Sequence, residues 1–179
     1  DITYYHIKEL KKLKNTIYNY DFKYYSKILY QKNNYLNFIK NFKNKFKKGE
    51  ALLPLEVYMS ALILSIPMNY NFKNINSSQK FWIFHQISKS IIGWSMADLI
   101  DNNLYEPLYS KRLNELEKIY LNNKSIKFEL AELALNFKLN TYYDINLDIK
   151  KLWFQTKKIH LNMLIEKYFV FKKIKIPFF

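Results

Sequence analysis

The side chains that could perform acid–base or metal chemistry are few and widely spaced in this sequence. The three histidines, His6, His85 and His160, form no HxxxH or HExxH spacing, so no metal site is predicted and each is expected at the surface or half-buried. Asp98 and Asp101 stand three residues apart, which a solvated helix face explains. There is no cysteine, which excludes disulfides, iron–sulfur clusters and thiolate zinc sites. The sequence therefore predicts neither an enzyme nor a cofactor, and no small-molecule substrate.

The strongest chemical signal is positive charge. The 179 residues carry 29 Lys and Arg against 15 Asp and Glu, a formal net charge of +14. Such a chain needs an acidic partner, most often nucleic acid and less often an anionic membrane surface. Arg112 is the sole arginine, so phosphate contacts would come from lysine ammonium groups, which position a nucleic acid more than they read its bases. Abundant Lys, Asn, Ile, Tyr and Phe are typical of an A/T-biased genome, such as an organellar one, which accounts for part of the lysine excess.

The elements that carry these residues are predicted to be helices. Glycine and proline are too sparse for a turn-rich β protein, and apolar residues recur at helical spacing almost throughout. We therefore predict an all-α helical bundle with a basic N-terminal arm and a C-terminal helical extension. The helical segments are expected at Tyr24 to Tyr30, Tyr35 to Phe46 with Gly49 as the stop, Pro54 to Pro67, Phe81 to Ile92, a start capped by Ser95 after Gly93, Pro107 to Asn123, Ser125 to Asn140, and Asn146 to Phe171 capped by Asp144 or Asn146.

The most apolar stretch is PLEVYMSALILSIP, residues 54–67. The apolar run from Ala51 to Pro67 is shorter than the about 20 residues that a membrane span needs, and it contains Glu56. Apolar side chains surround most of the helix, so it is expected to be a buried core helix with Pro54 in its first turn. The first fifteen residues show no signal-peptide pattern. A membrane partner is therefore not expected.

Four segments, read in order, resemble one protein family. They are DFKYYSKIL at 21–29, PLEVYMSALILSIP, WIFHQISKSIIGWSMADLI at 82–100, and SKRLNELEKIYLNNK at 110–124. Together they are similar to the seventh protein of the small ribosomal subunit in its bacterial and organellar form. The matching positions are Pro54, Leu55, Glu56, Val57, Ala61, Leu62, Pro67, Trp82, Lys89, Ser95, Met96, Ala97, Leu99, Lys111, Arg112, Asn123 and Lys124.

The resemblance implies a structural constituent of the small ribosomal subunit, of mitochondrial localisation, that binds the 3′ major (head) domain of its rRNA beside neighbouring head proteins. It divides the chain into a basic arm at 1–20, a ribosomal-protein-like domain at 21–127 and a lineage-specific extension at 128–179. The family's β-hairpin would be shortened or lost, because only an Asn-rich loop lies between Pro67 and Trp82. The candidate RNA-binding residues are Lys23, Lys43, Lys45, Lys47, Lys48, Lys80, Lys89, Lys111 and Arg112.

Several of these residues also fit a plainer structural role. The lysines could be ordinary solvated helix faces, and Tyr24, Tyr25 and Tyr30 could stack on bases or belong to the core. Trp82 and Trp94 are expected to be packing residues. The apolar extension around Trp153 could contact neighbouring ribosomal components or pack onto its own domain. A different function also fits the charge: an accessory subunit of an organellar membrane complex, held by the basic aromatic C-terminal helix.

Overall fold

The computed structural model describes residues 6–26, 35–47, 49–66, 72, 74–120, 125–140 and 146–172, with side chains of the last helix described as far as residue 169. These residues contain no strand, so the all-α prediction is confirmed. The chain divides into two compact units, residues 1–47 and 48–179, and the domain boundaries implied by the resemblance stay predictions. The elements are α1 (Ile7–Leu10), α2 (Ile17–Tyr25), a 3₁₀ turn (Tyr35–Phe38), α3 (Leu52–Leu64), α4 (Ser77–Asp101), α5 (Tyr109–Tyr120), α6 (Ile126–Asn140) and α7 (Ile149–Lys172).

The first unit has a small core formed by Leu10, Ile39 and Phe42. The predicted helix from Tyr35 to Phe46 is wrong beyond Phe38, because the chain from 39 to 47 has no regular structure. Side chains satisfy its backbone instead. The Tyr24 hydroxyl accepts from the Phe42 N–H at 2.9 Å and lies 3.1 Å from the Phe42 carbonyl, to which it donates. The apolar spacing that suggested a helix therefore supplies core residues to an irregular segment.

Two further helix limits in this region differ from the sequence prediction. The helix expected from Tyr24 to Tyr30 ends at Tyr25, where the backbone of Ser26 is extended, and residues 27–30 lie outside the described part of the chain. Gly49 does not stop a helix. It has φ of 100° and its carbonyl accepts from the Leu52 N–H at 3.0 Å, so it precedes α3 in a turn that requires a left-handed residue.

The second unit is built around α4, which contacts α3, α5, α6 and α7. The helix begins with a capping box in which the Asn76 side chain accepts from the Gln79 N–H at 2.9 Å, and the Gln79 side chain accepts from the Asn76 N–H at 2.9 Å. It ends at Asp101. Asn103, two residues further on, has φ of 57° and closes a Schellman turn in which the Leu104 N–H donates to the Leu99 carbonyl at 2.8 Å. Between these ends α4 buries most of its side chains, so it is the core helix of the unit.

Gly93 does not separate two helices, and Ser95 does not cap a new one. Both lie inside the uninterrupted α4, and the Ser95 hydroxyl donates back to the Ile92 carbonyl at 3.0 Å. The glycine is required by packing: a Cβ at position 93 would lie 2.6 Å from the Tyr58 Cβ. The absence of a side chain lets α3 approach α4 closely, which the local sequence pattern could not indicate.

Helix α3 is buried on one face only. Leu52, Leu55, Ala61 and Leu62 are buried, whereas the opposite face carries side chains that are more than half exposed. The prediction that α3 is buried on most sides is therefore wrong, although Pro54 does lie in its first turn. The exposed apolar side chains are Leu53, Val57, Ile63 and Leu64. None of the helices described here is long and apolar enough to cross a membrane.

The C-terminal helix α7 packs onto α3 and α4 of its own unit. The Trp153 indole Nε1–H donates to the Ser65 hydroxyl at 2.7 Å and, more weakly, to the Leu62 carbonyl at 3.3 Å. The N-cap is Asp148, whose carboxylate accepts from the Lys151 N–H at 2.9 Å. Asn146 therefore is not the cap, and Asp144 lies outside the described residues. Of the two roles open to this extension, packing onto its own domain is the one observed for Trp153.

Candidate nucleic-acid interface

The lysine candidates of the first unit lie mainly on the irregular segment after the 3₁₀ turn. Lys43, Lys45 and Lys47 are exposed, while Asn44 and Phe46 between them are half-buried. Burial thus alternates as in an extended chain, so the three ammonium groups are carried on the solvent side of the segment. Lys48 lies outside the described residues.

Lys23 has a structural contact that the sequence did not predict. It is half-buried, and its Nζ donates to the Leu36 carbonyl at 2.7 Å, which links the end of α2 to the 3₁₀ turn. Two of its three N–H groups are left for other acceptors. Lys23 is therefore a support of the first unit as well as a candidate phosphate ligand.

The candidates of the second unit do not form one patch. Lys80 and Lys89 are both half-buried on α4 but nine residues apart, which places them about half a turn from each other around the helix axis. Lys111 is exposed on α5. Lys89 instead shares a helix face with Trp82 and His85, which precede it by seven and four residues.

Trp82 is not a packing residue, contrary to the sequence prediction. It is 52% exposed near the start of α4, whereas Trp94 on the same helix is completely buried as expected. The Trp82 ring lies 6.1 Å from the His85 ring, centroid to centroid. An exposed indole on the same helix face as a lysine is able to bind unpaired bases, since aromatic rings can stack on them and ammonium groups can pair with phosphates.

Arg112 is placed by the structure inside the second unit and not on its surface. It is 4% exposed, its Nε donates to the Glu106 carbonyl at 2.6 Å, and its terminal nitrogen donates to the Pro107 carbonyl at 3.2 Å. Its guanidinium carbon lies 4.3 Å from the Tyr109 ring centroid, a cation–π contact. The prediction that Arg112 contacts RNA is not supported by this burial, and its observed role is to hold the turn before α5.

The carboxylates of α4 are occupied within the protein. The prediction that Asp98 lies on a solvated face is wrong, because Asp98 is only 8% exposed. Its carboxylate accepts a hydrogen bond from the Tyr120 hydroxyl and pairs with the Lys127 ammonium at 3.3 Å. Lys167 lies 2.5 Å from Asp101 and 3.6 Å from Asp98. Burial and the adjacent Asp98 charge raise the pKa of Tyr120 well above its usual range, so Tyr120 stays a hydrogen-bond donor. This network joins α4, α5, α6 and α7.

His160 is completely buried, which corrects the prediction of a surface or half-buried position. Its Nε2–H donates to the Leu55 carbonyl at 2.8 Å, and its Nδ1 lies 2.6 Å from the Ser90 hydroxyl, which therefore donates to it. Burial lowers the pKa of His160, so the ring is neutral. A serine and histidine at this distance can form a nucleophile–base pair. Neither side chain is exposed, however, so Ser90 and His160 here cross-link α3, α4 and α7.

A cleft in the second unit collects groups that sequence reasoning did not connect. Its volume is about 70 Å³, and it lies where α3, α4, α5 and α6 meet. Burial first, and then the charges of Lys89 and Lys138, lower the pKa of His85. The sequence offered no signal for Lys138 or Ser88, because each is one polar residue within a helix. The residues that give the cleft its chemistry are Tyr58, His85, Ser88, Lys89, Tyr109 and Lys138.

The described residues contain no group of three His, Asp or Glu side chains that could hold a metal ion. Comparison of the chain with protein families, with curated proteins and with solved structures gives no match in any of the three cases.

Proposed function

We propose that this protein is a structural constituent of a mitochondrial small ribosomal subunit and binds the 3′ major (head) domain of its rRNA. Two sequence features support the proposal: the four family-like segments in their order, and a net charge of +14. The observation that carries it is the state of the candidate lysines. Lys43, Lys45, Lys47, Lys80, Lys89 and Lys111 take part in none of the ion pairs found among the described residues.

The unpaired lysines matter because carboxylates neutralise charge elsewhere in the same protein. The ion pairs seen involve Lys118, Lys127 and Lys167, each matched to an acidic side chain. Unmatched ammonium groups repel one another and attract an anionic partner. When such groups neutralise RNA phosphates, condensed counterions are released, and the binding constant then falls steeply with salt.

The structure changes which residues the proposal relies on. Lys43, Lys45 and Lys47 are its best phosphate ligands, since they are exposed together on one segment. Trp82 is added as a stacking residue because of its exposure, and Lys89 supports it from the same face of α4. Arg112 is removed because it is buried.

The first test is crosslinking and sequencing of the RNA bound to the protein in cell extract, at rising salt. Recovery of the small-subunit head domain, lost steeply with salt once the protein is free of ribosomes, is the expected result. Sedimentation with ribosomal particles should survive detergent. Recovery of no RNA above background, or co-fractionation with a membrane complex that detergent disperses, would refute the proposal.

A matched pair of variants then tests the lysine segment. Changing Lys43, Lys45 and Lys47 to Gln should lower the slope of log K against log salt by about 2 to 3, since each phosphate contact contributes about 0.7 to 0.9. The control changes Lys150, Lys151 and Lys158 to Gln. These lysines are exposed on α7, and their replacement removes the same amount of charge. Equal losses in the two variants would show that the net charge binds RNA without a defined site.

A further inference from the structure

The cleft between α3, α4, α5 and α6 has the chemistry of an anion site. Lys89 of α4 and Lys138 of α6 both line it, and no carboxylate is among its lining residues. The Lys138 ammonium lies 5.8 Å from the Tyr109 ring centroid, and the Arg112 guanidinium lies 4.3 Å from the same ring. Two lysines therefore line the cleft, and a third cation, Arg112, contacts the Tyr109 ring of its wall, so the potential of the cleft is positive.

A buried hydroxyl without a partner lies in the same cleft. Ser88 is 2% exposed, lines the cleft, and its Oγ has no hydrogen-bond partner among the described residues. A buried polar group without a hydrogen-bond partner is destabilising, so such groups are rare unless a ligand or water satisfies them. Ser88 can donate to an anion oxygen, as can the Tyr58 and Tyr109 hydroxyls and the His85 ring.

The volume of the cleft indicates the size of the anion that it can hold. A single water needs about 10–15 Å³ of such space, so the roughly 70 Å³ present accommodates a tetrahedral oxyanion and not only one water. Lysine ammonium groups and hydroxyls are common ligands of phosphate oxygens. We propose that this cleft, through Lys89, Lys138 and Ser88, binds a phosphate group, presented either by an RNA backbone or by a free phosphate or phosphate monoester. This proposal does not depend on the ribosomal assignment, because it concerns a defined cleft that can be tested with phosphate alone.

His85 provides an internal reporter of occupancy. Burial, Lys89 and Lys138 lower the pKa of His85 in the free protein. The other titratable side chains that line the cleft are Tyr58, Lys89, Tyr109 and Lys138, and none of them is a carboxylate. A bound phosphate places negative charge beside the ring, so the pKa of His85 should rise on binding, while the ring resonances of His6, which is exposed directly before α1, should not move.

The experiment titrates the full chain with inorganic phosphate at constant ionic strength and follows the histidine ring resonances by NMR. Saturable shifts of His85 with His6 unaffected are expected. Changing Lys89 and Lys138 to Gln should weaken phosphate binding by about tenfold or more, since two charge-assisted contacts are lost. The control, Lys150→Gln with Lys158→Gln, removes the same charge from exposed α7 positions and should change binding by less than about twofold. Linear, parallel shifts of both histidines, or equal weakening in the control, would overturn the proposal.

Ser88→Ala gives a second readout that a merely structural role would not produce. It removes a buried hydroxyl that has no partner among the described residues, so stability should be unchanged or higher, while phosphate binding should weaken about three- to tenfold. Unchanged phosphate binding in a folded Ser88→Ala protein would count against the site. Adenosine monophosphate and a short RNA without a terminal phosphate then distinguish the sources. Saturation of His85 by the first alone identifies a monoester site, and saturation by the RNA identifies a backbone site. If neither saturates His85, saturation by inorganic phosphate identifies a free-phosphate site, and failure of inorganic phosphate as well overturns the proposal.

Discussion

Gly93→Ala tests whether the stability of the second unit depends on the close approach of α3 and α4. In an exposed helix interior this change stabilises by about 1 kcal/mol, because alanine is the better helix former. At position 93 the new Cβ would lie 2.6 Å from the Tyr58 Cβ and 2.7 Å from Tyr58 Cδ2. Non-bonded carbons prefer about 3.5–4.0 Å, so α3 and α4 must separate by roughly 1 Å.

The expected loss follows from these two opposing effects. Overpacking in a core costs about 1–3 kcal/mol, and the upper end applies because the Tyr58 Cβ is fixed to the α3 backbone and cannot rotate away. Subtracting the helix-propensity gain of about 1 kcal/mol leaves a net destabilisation of about 2 kcal/mol. With a urea dependence of about 2 kcal/mol per molar, the unfolding midpoint should fall by about 1 M.

Urea unfolding followed by tryptophan fluorescence measures this directly. All three tryptophans, Trp82, Trp94 and Trp153, lie in residues 48–179, so the signal reports the second unit alone. The control is Asn136→Ala on an exposed position of α6, which should leave the midpoint equal or slightly higher. A Gly93→Ala protein as stable as the wild type would refute the packing role of Gly93.

A double variant locates the loss in the contact itself. Tyr58→Ala removes the ring atoms next to Gly93 but keeps the Cβ at 2.6 Å, so it should recover only part of the Gly93→Ala loss. The two changes are then coupled and not additive. Additive losses would show that the destabilisation arises elsewhere in α4.

Three further predictions concern the buried polar contacts. His160→Gln should destabilise by about 1–3 kcal/mol at pH 7. The pKa of His160 is lower in the folded protein than in the unfolded chain, so the unfolded chain binds a proton at a higher pH. As pH falls from about 6.5, the unfolding free energy of the wild type should therefore decrease more than that of the variant. Equal pH slopes in urea titrations would contradict this. Trp153→Phe should lower the unfolding free energy by about 1–2 kcal/mol by removing the donor to Ser65, and an unchanged midpoint would argue against that bond. Asp98→Asn should cost about 2–3 kcal/mol, since Lys127 and the Tyr120 hydroxyl lose their charged acceptor; a neutral effect in thermal unfolding would show that the network is not stabilising.

Failures of the sequence prediction have a common physical cause. A glycine inside an apolar helical pattern marks either a break or a close contact, and only the position of Tyr58 decides between them for Gly93. Likewise, the spacing of Ile39 and Phe42 is compatible with a helix, but the bonds from Tyr24 and Asn15 hold that backbone in an irregular form. The spacing of neighbouring residues does not show which distant side chain packs or bonds there, so it could not decide between these structures.

The candidate site also contains residues whose exposure the sequence predicted and residues whose exposure it did not. Exposure of Lys43, Lys45 and Lys47 agrees with what a run of lysines predicts, since ammonium groups stay in water. Arg112 and Trp82 exchange their expected places: the arginine is buried under Tyr109 and the tryptophan is exposed. Lys138 was not predicted as a site residue, because only the packing of α4 and α6 brings it into the same cleft as Lys89.

The sequence by itself determined the helical class, the positive charge and most of the helix positions in the second unit, because helical periodicity and net charge are properties of neighbouring residues. Tertiary structure decided the rest. It joined α4 through Gly93, buried His160 and Asp98 with partners distant in sequence, and gathered Lys89, Lys138 and Ser88 around one cleft. Each of those outcomes depends on which helix packs against which, and contacts between residues far apart in the chain leave no trace in local spacing.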